Sequence, residues 1–298
     1  MKSVLPAPLL GSLTFFLMLI NLLFWAVPVY ALILVKLMTW GRARIQVSHW
    51  IAANAQTWAS VNVKIWDWLL GIEWDMRGIE ALDRKGQYLV ISNHQTWNDI
   101  PVVMKAFDRR APFFKFFMKQ ELIWVPILGL AWWGLDFPFM KRYTPEQIAR
   151  NPALKGKDLE TTRRACEKYR HQPVTILNYL EGTRFTREKH DRQQSPYRNL
   201  LLPKSGGFAF ALSVMGERLH RLLDITVVYP DGAMKFWDFV SGRVRRVVVE
   251  VRQLEIPPEF FRGNYGDDPE FRKQVQAWVA NIWRQKDQRI DELLTESS

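Results

Sequence analysis

Between Lys2 and Lys36 the chain carries no charged residue, and positions 9–35 read LLGSLTFFLMLINLLFWAVPVYALILV. A bilayer needs roughly 20 consecutive apolar residues in helix to be crossed, and this run is longer. A secretory signal has an apolar centre of only ~7–15 residues with a small-residue cleavage site after it. The GRARI that follows offers no such site, so the pattern predicts a retained anchor over residues 1–40. Pro28 leaves open a single tilted span or a re-entrant hairpin. Residues 41–72 then carry Trp50, Trp58, Trp66 and Trp68 among Ile45, Ile51, Ala55, Ile65 and Leu69. Spacings of three and four predict an amphipathic helix, packed on a core or lying on a membrane.

From residue 73 to 298 the rhythm changes to short strands and helices. YLVIS (88–92), PVTILNYL (173–180), DITVVYP (224–230) and VRRVVVEVRQL (244–254) read as strands. The first three are continuous apolar runs, which suits strands covered on both faces. Helical patterns fall around 97–107, 156–170 and 204–219, and a stripe of Phe271, Val275, Trp278, Val279, Ile282 and Trp283 predicts a packed terminal helix. The expected class is α/β, a mixed sheet covered by helices behind an N-terminal membrane-anchoring segment.

Composition sharpens this picture at three points. One cysteine, Cys166, excludes intrachain disulfides and cysteine-based zinc clusters. Lysine and arginine outnumber acids 41 to 30, a formal charge of +11, which suits a solvated basic surface, nucleic acid, anionic lipid or a polyanionic substrate. Fourteen tryptophans, concentrated near the apolar segment, favour the lipid headgroup region over nucleic acid. Lys36, Arg42 and Arg44 outweigh Lys2, which puts the following domain on the cytoplasmic side, at the inner membrane if the cell is bacterial.

The chemistry begins at ISNHQTWNDI (91–100). Residues five apart on a regular helix diverge by about 140°. His94 and Asp99 can therefore meet only if His94 sits in a loop and Asp99 opens the helix. Asp99 would then orient one ring nitrogen and leave the other free to take a proton. A structural helix cap explains the same two residues. His49, His171, His190 and His220 stand in no ligand spacing with His94, so no metal is expected. No G-x-S-x-G, Walker loop or G-x-G-x-x-G occurs, which argues against a serine nucleophile and a nucleotide cofactor.

A second cluster follows the strand 173–180, where Glu181, Gly182, Thr183 and Arg184 stand at a carboxyl edge, the place where open α/β sheets bind ligands. Arg184 offers a planar fork suited to phosphate. GLDFPFMKRY sets Lys141 and Arg142 beyond an apolar run, and VVYP ends another strand at Pro230.

NHQTWND, GLDFPFMKR, EGTRFT and VVYP, in this order, resemble the four blocks of the glycerolipid acyltransferases, among them the 1-acyl-glycerol-3-phosphate (lysophosphatidate) type. EGTRFTREKH with LLPKSGGFAFAL is similar to the lysocardiolipin acyltransferase-like branch and its bacterial inner-membrane relatives. The likeness covers residues 80–232. It departs from the family's pattern at Met140-Lys141-Arg142 and at Tyr229 and Asp231, which flank Pro230. The resemblance implies transfer of a fatty acyl group from acyl-CoA or acyl-carrier protein, as co-substrate and not cofactor, to the free hydroxyl of a lysophospholipid. It implies His94 as general base and Asp99 as its orienting group. Arg184 with Glu181, Gly182 and Thr183 would hold the acceptor's phosphate region, assisted by Lys141 and Arg142, and Pro230 would shape the donor side. The stretch 113–133 is a candidate acyl-chain lining or ordinary core. A non-catalytic lipid-binding adaptor is the competing reading.

Overall fold

The computed structural model describes residues 5–140, 150–151, 169, 173–216, 221–261, 263 and 265–297. The expected helix at 156–170, apart from Tyr169, and the cations Lys141 and Arg142 lie outside the described residues. Two long helices come first, α1 (Ala7–Leu37) and α2 (Gly41–Leu69). They are antiparallel neighbours: the Trp66 indole donates to Met18 Sδ at 3.4 Å and the Asn21 amide to the Trp58 carbonyl at 3.0 Å. Further along, Val29 and Ile33 share an apolar cluster with Val47 and Ile51.

The sheet has six strands in the order β1 (Glu73–Arg77), β8 (Arg246–Glu255), β7 (Arg221–Val228), β2 (Gln87–Ser92), β6 (Val174–Tyr179) and β3 (Phe114–Phe116). Strands β7, β2, β6 and β3 run parallel, whereas β8 lies antiparallel to β7 and parallel to β1. A short parallel pair, β4 (Met118–Lys119) and β5 (Phe139–Met140), stands apart. Of these strands, the sequence pattern predicts β2, β6, β7 and β8. Strand β1, EWDMR, carries two acids and one arginine in five residues, and β3 to β5 are too short for a periodic signal.

Alternation divides the core in two. Val90, Ile225, Val227 and Val249 point to the face covered by α2, α3 (Asp99–Phe107) and a short helix over Phe236–Val240. Leu89, Ile91, Ile176 and Val248 point to the face covered by the helix Ser205–Met215 and the terminal helix Pro269–Glu296. Of the expected stripe on the terminal helix, Phe271, Val275, Val279, Ile282 and Trp283 are buried there and Trp278 is partly buried, and the buried face runs on to Leu293.

The apolar first helix does not rise away from this body. Near its start a Cβ at Gly11 would stand 3.0 Å from the Trp237 ring. Near its end Lys36 is 3 % exposed and pairs with Asp136 at 2.5 Å while donating to the Gly134 carbonyl at 2.8 Å. Here α4 (Leu128–Gly134) meets α1. Among the described residues α1 alone is long and apolar enough to cross a bilayer.

One charged group lies deep beneath the sheet. Lys286 of the terminal helix is fully buried 2.6 Å from Asp224 on β7, which Arg252 of β8 reaches from the other side at 2.7 Å. Burial pulls the Lys286 ammonium below its ordinary range, and the Asp224 carboxylate opposes that pull. Removing one partner of a buried pair leaves an uncompensated charge, at about 3–5 kcal/mol. K286M leaves Asp224 with Arg252 as its remaining partner and takes a donor from the Ile225 carbonyl and Thr226, so it should lower stability in urea by no more than the low end of that range. The double change K286M/D224L should recover most of it, since Arg252 is partly exposed and reaches solvent. Equal losses in the single and double variants would show that the pair does not hold the terminal helix.

Candidate active site

Three parallel strands end side by side, and the loops that follow β2, β6 and β7 form the site. The turn-out from β2 starts at Asn93, whose side-chain amide takes over the sheet pairing: it donates to the Val227 carbonyl at 2.8 Å and accepts from the Val227 amide at 2.9 Å. Because the side chain carries the ladder, the main chain is free to leave the sheet. The His94 N–H then donates to Glu181 Oε1 at 2.7 Å, and the His94 carbonyl accepts from the Phe185 N–H at 2.7 Å. The loop after β6 thus grips the histidine's backbone from both sides.

Residues 93–98 stay out of helix and Asp99 opens α3. Within that loop the Gln95 and Thr96 N–H groups donate to Asp99 Oδ2 at 2.7 and 3.0 Å, and His94 Nδ1 lies 2.7 Å from the same oxygen. A carboxylate only accepts, so Nδ1 carries the proton and Nε2 presents its lone pair. Asp99 is fully buried, while the His94 side chain keeps 15 % exposure. The imidazole stacks on Tyr179 at 4.0 Å between centroids and 18° between planes. Asp99 also sits in the first turn of α3, where the helix dipole favours an anion.

Glu181 occupies a different place from the one the resemblance suggests. Its carboxyl is 1 % exposed, and its second oxygen accepts from the Leu201 N–H at 3.1 Å, so it supports the His94 loop from below and does not face a ligand. Burial, with a smaller push from Asp99, raises it from its ordinary 4.5 to about 7. Gly182 has φ +66°, a conformation suited to glycine, and a Cβ there would stand 3.3 Å from the Lys204 ammonium. Thr183 Oγ1 accepts from Lys189 at 2.9 Å, and Lys189 also donates to the Arg184 carbonyl at 2.9 Å. The Arg184 guanidinium lies 4.4 Å from the centroid of the Trp97 ring, over the same loop that carries His94. None of Arg184, Lys189 and Lys204 makes an ion pair with a carboxylate among the described residues.

Strand β7 ends in a turn closed by the Gly232 N–H donating to the Tyr229 carbonyl at 2.9 Å, with Pro230 at its second position, where a fixed φ is favourable. Thr96 and Asn98 donate to the Met234 carbonyl at 2.6 and 2.9 Å, which ties the segment after the turn to the histidine loop. Behind α3 lies an apolar cavity of about 260 Å³, lined among others by Leu19, Ile100, Met104, Phe116 and Trp132. The stretch 113–133 contributes to it through Phe113, Phe114, Phe116, Leu128 and Trp132. Ile100 and Met104 of α3 reach this cavity, while Asp99 and His94 do not line it.

The structure therefore brings His94, Asp99, Glu181, Gly182, Thr183, Arg184 and Pro230 to one sheet edge. Sequence reasoning missed Asn93, Tyr179, Lys189, Lys204 and the anchoring role of Glu181. A residue's type shows what it can bond, and only the register of β2 against β6 and β7 shows with what.

Comparison with known proteins adds the lineage. The family model described as Acyltransferase matches residues 73–230. The 2-acyl-1-lysophosphatidylinositol acyltransferase of Saccharomyces cerevisiae is 24% identical over 239 residues, covering 68% of this chain and 60% of its own length. The human 1-acyl-sn-glycerol-3-phosphate acyltransferase delta is 28% identical over 182 residues, covering 58% of this chain and 43% of its own. The chain thus spans between 43% and 60% of the length of these two curated relatives. The crystal structure of the 1-acyl-sn-glycerophosphate (LPA) acyltransferase PlsC from Thermotoga maritima shares the fold, with a TM-score of 0.57 at 15% identity over 95% of each chain.

Because Glu181 holds its proton more tightly when folded, its contribution to stability is complete below its ordinary 4.5 and is lost as pH rises through about 7. The thermal midpoint should fall between about pH 5 and 7.5, and E181Q, which cannot titrate, should remove that part of the slope. E181Q should also be less stable at every pH, since its NH₂ faces a backbone donor. An undiminished slope in E181Q would assign the pH dependence to other groups.

Proposed function

This chain belongs to the acyltransferase family, and from that premise we propose that it moves a fatty acyl group from acyl-CoA or acyl-carrier protein to the free hydroxyl of a lysophospholipid, lysophosphatidate foremost. The observation that carries the reading is His94, with Nδ1 tied to a fully buried carboxylate and its side chain still 15 % exposed at the strand ends, on the loop that Arg184 covers through Trp97. Nε2 takes the proton from the acceptor hydroxyl as its oxygen attacks the thioester carbonyl. The C–O bond forms, the tetrahedral intermediate collapses, the C–S bond breaks, and the leaving thiolate takes the proton back from the imidazolium. Asp99 steadies the positive charge that His94 carries between these two transfers. No covalent acyl-enzyme is required.

Arg184, 4.4 Å from the centre of the Trp97 ring and without a carboxylate partner among the described residues, suits the acceptor's phosphate, with Lys189 and Lys204 adding positive charge around Gly182. Lys141 and Arg142 are proposed to assist. The cavity beside Ile100 and Met104 suits the acyl chain. Relatives named for lysophosphatidate-type and lysophosphatidylinositol acceptors support a lysolipid and leave the headgroup to be measured.

The first helix fits the same substrate. Leu9, Phe16, Ile20, Phe24, Val27 and Leu34 are exposed along one stripe, while Leu10, Thr14, Asn21, Val29, Ile33 and Lys36 face the protein. We read this stripe as lying in the membrane boundary alongside the domain, on the cytoplasmic side, so that the cavity opens toward lipid. Trp40 and Trp68, both strongly exposed, flank α2 as interfacial anchors would.

Purified protein given labelled acyl-CoA and a panel of lysophospholipids should acylate lysophosphatidate. H94A should lose about 10²–10⁴-fold in turnover at unchanged thermal midpoint. A panel in which no lysolipid gains a chain, or an H94A enzyme of undiminished rate, would end this reading. In a separate assay, serine at Phe16, Phe24 and Val27 should release the protein from sedimenting anionic vesicles while its fold persists; retention equal to wild type would place the membrane contact elsewhere.

A further inference from the structure

Tyr229 stands where the family resemblance marks a departure, and its hydroxyl is not idle. It donates to Asp99 Oδ1 at 2.8 Å from the very end of β7, and its side chain is almost fully buried. The two oxygens of Asp99 are unequally loaded. Oδ2 takes three donors, from His94 Nδ1 and from the Gln95 and Thr96 amides, whereas Oδ1 has Tyr229. We propose that Tyr229 is a positioning residue for acyl transfer, fixing the plane of the Asp99 carboxylate so that Oδ2 stays on His94 Nδ1.

The proposal rests on the reading of His94 as the base and adds a third member to its relay. A carboxylate with a fully buried, unmatched oxygen is under-satisfied, and hydrogen bonds to charged groups are the stronger kind. The phenol sits on a rigid strand end, with its backbone carbonyl engaged in the turn at Gly232, so its direction is set by the sheet and not by a mobile loop. Burial first, and then the charge of Asp99, push the Tyr229 hydroxyl well above its ordinary range, so it remains a donor throughout the working pH range. The opposite side of the assembly is closed by Tyr179, stacked against the imidazole. The carboxylate is thus held from one strand and the ring from another, and both torsions of the dyad are fixed. When His94 takes the substrate proton, the phenol also spreads the charge of the carboxylate that faces the new cation. Filling core space would account for a phenylalanine as well as a tyrosine at this position. The hydroxyl is what a purely structural role leaves over.

Y229F tests this. With acyl-CoA and lysophosphatidate, kcat should fall about ten- to hundredfold while both KM values stay within twofold, the range expected for losing a hydrogen bond to a charged group. In a D99A background the same change should cost less than twofold, because residues acting through one another do not add. A full additional loss in D99A, or a KM effect without a kcat effect, would overturn the proposal. The second readout needs no substrate: the downfield proton resonance of the His94 Nδ1–H bridging to Asp99. It should move in Y229F. If Y229F does not fold, a fluorotyrosine series at position 229 keeps the shape while strengthening the donor, and the resonance should shift upfield stepwise. A resonance blind to the series would refute the link. This readout stands whether or not lysophospholipid is the acceptor, so a failed lipid panel and a failed Tyr229 relay are told apart.

Discussion

A histidine leaving a strand can meet a carboxylate five residues later only if the intervening chain resists becoming helix. Here that resistance has identifiable sources. The Asn93 amide completes the sheet in place of the backbone, Glu181 holds the His94 N–H, and Asp99 collects the two amides of Gln95 and Thr96 that an earlier helix start would have used. The carboxylate that holds the His94 imidazole also shapes the loop that carries it. Chemistry and local folding are one hydrogen-bond set at this point, and the neighbouring loops converge on it through Phe185 and Met234.

The sheet supplies the rest. Parallel pairing of β2 with both β6 and β7 brings together three carboxyl ends, at Ser92, Tyr179 and Val228. Each end delivers a different resource: an imidazole, a glycine turn with cations, and a phenol behind a proline. On the face covered by α1, α2 and α3, side chains of these helices and of the β3 edge surround an apolar space, to which α3 contributes Ile100 and Met104.

How much of this was legible depended on whether the signal was local. Residues 88–92 and 173–180 announced strands because both their faces are covered, and His94 with Asp99 announced a loop before a helix because no other arrangement lets them touch. Glu181 was legible as an acid at a strand end, but its direction depends on Leu201 and on the register of β2 with β6, which lie far away in sequence. Tyr229 was visible only as an exception to a pattern. Apolarity in residues 9–35 reads the same whether the neighbour is lipid or protein, so the contacts of Gly11 with Trp237 and of Lys36 with Asp136 had no sequence signature. Strand β1, EWDMR, alternates polar and apolar residues, but five positions, three of them charged, are too few to mark a strand by themselves.

The antiparallel course of β8 has a consequence for how the molecule is closed. Strands β8 and β1 run against β7, so whatever follows β8 leaves from the far edge of the sheet, and the helix Pro269–Glu296 returns beneath it to meet Arg77 through Glu296. That pair clasps the outer strand β1 to the terminal helix, so segments 219 residues apart are closed against each other along one edge of the sheet.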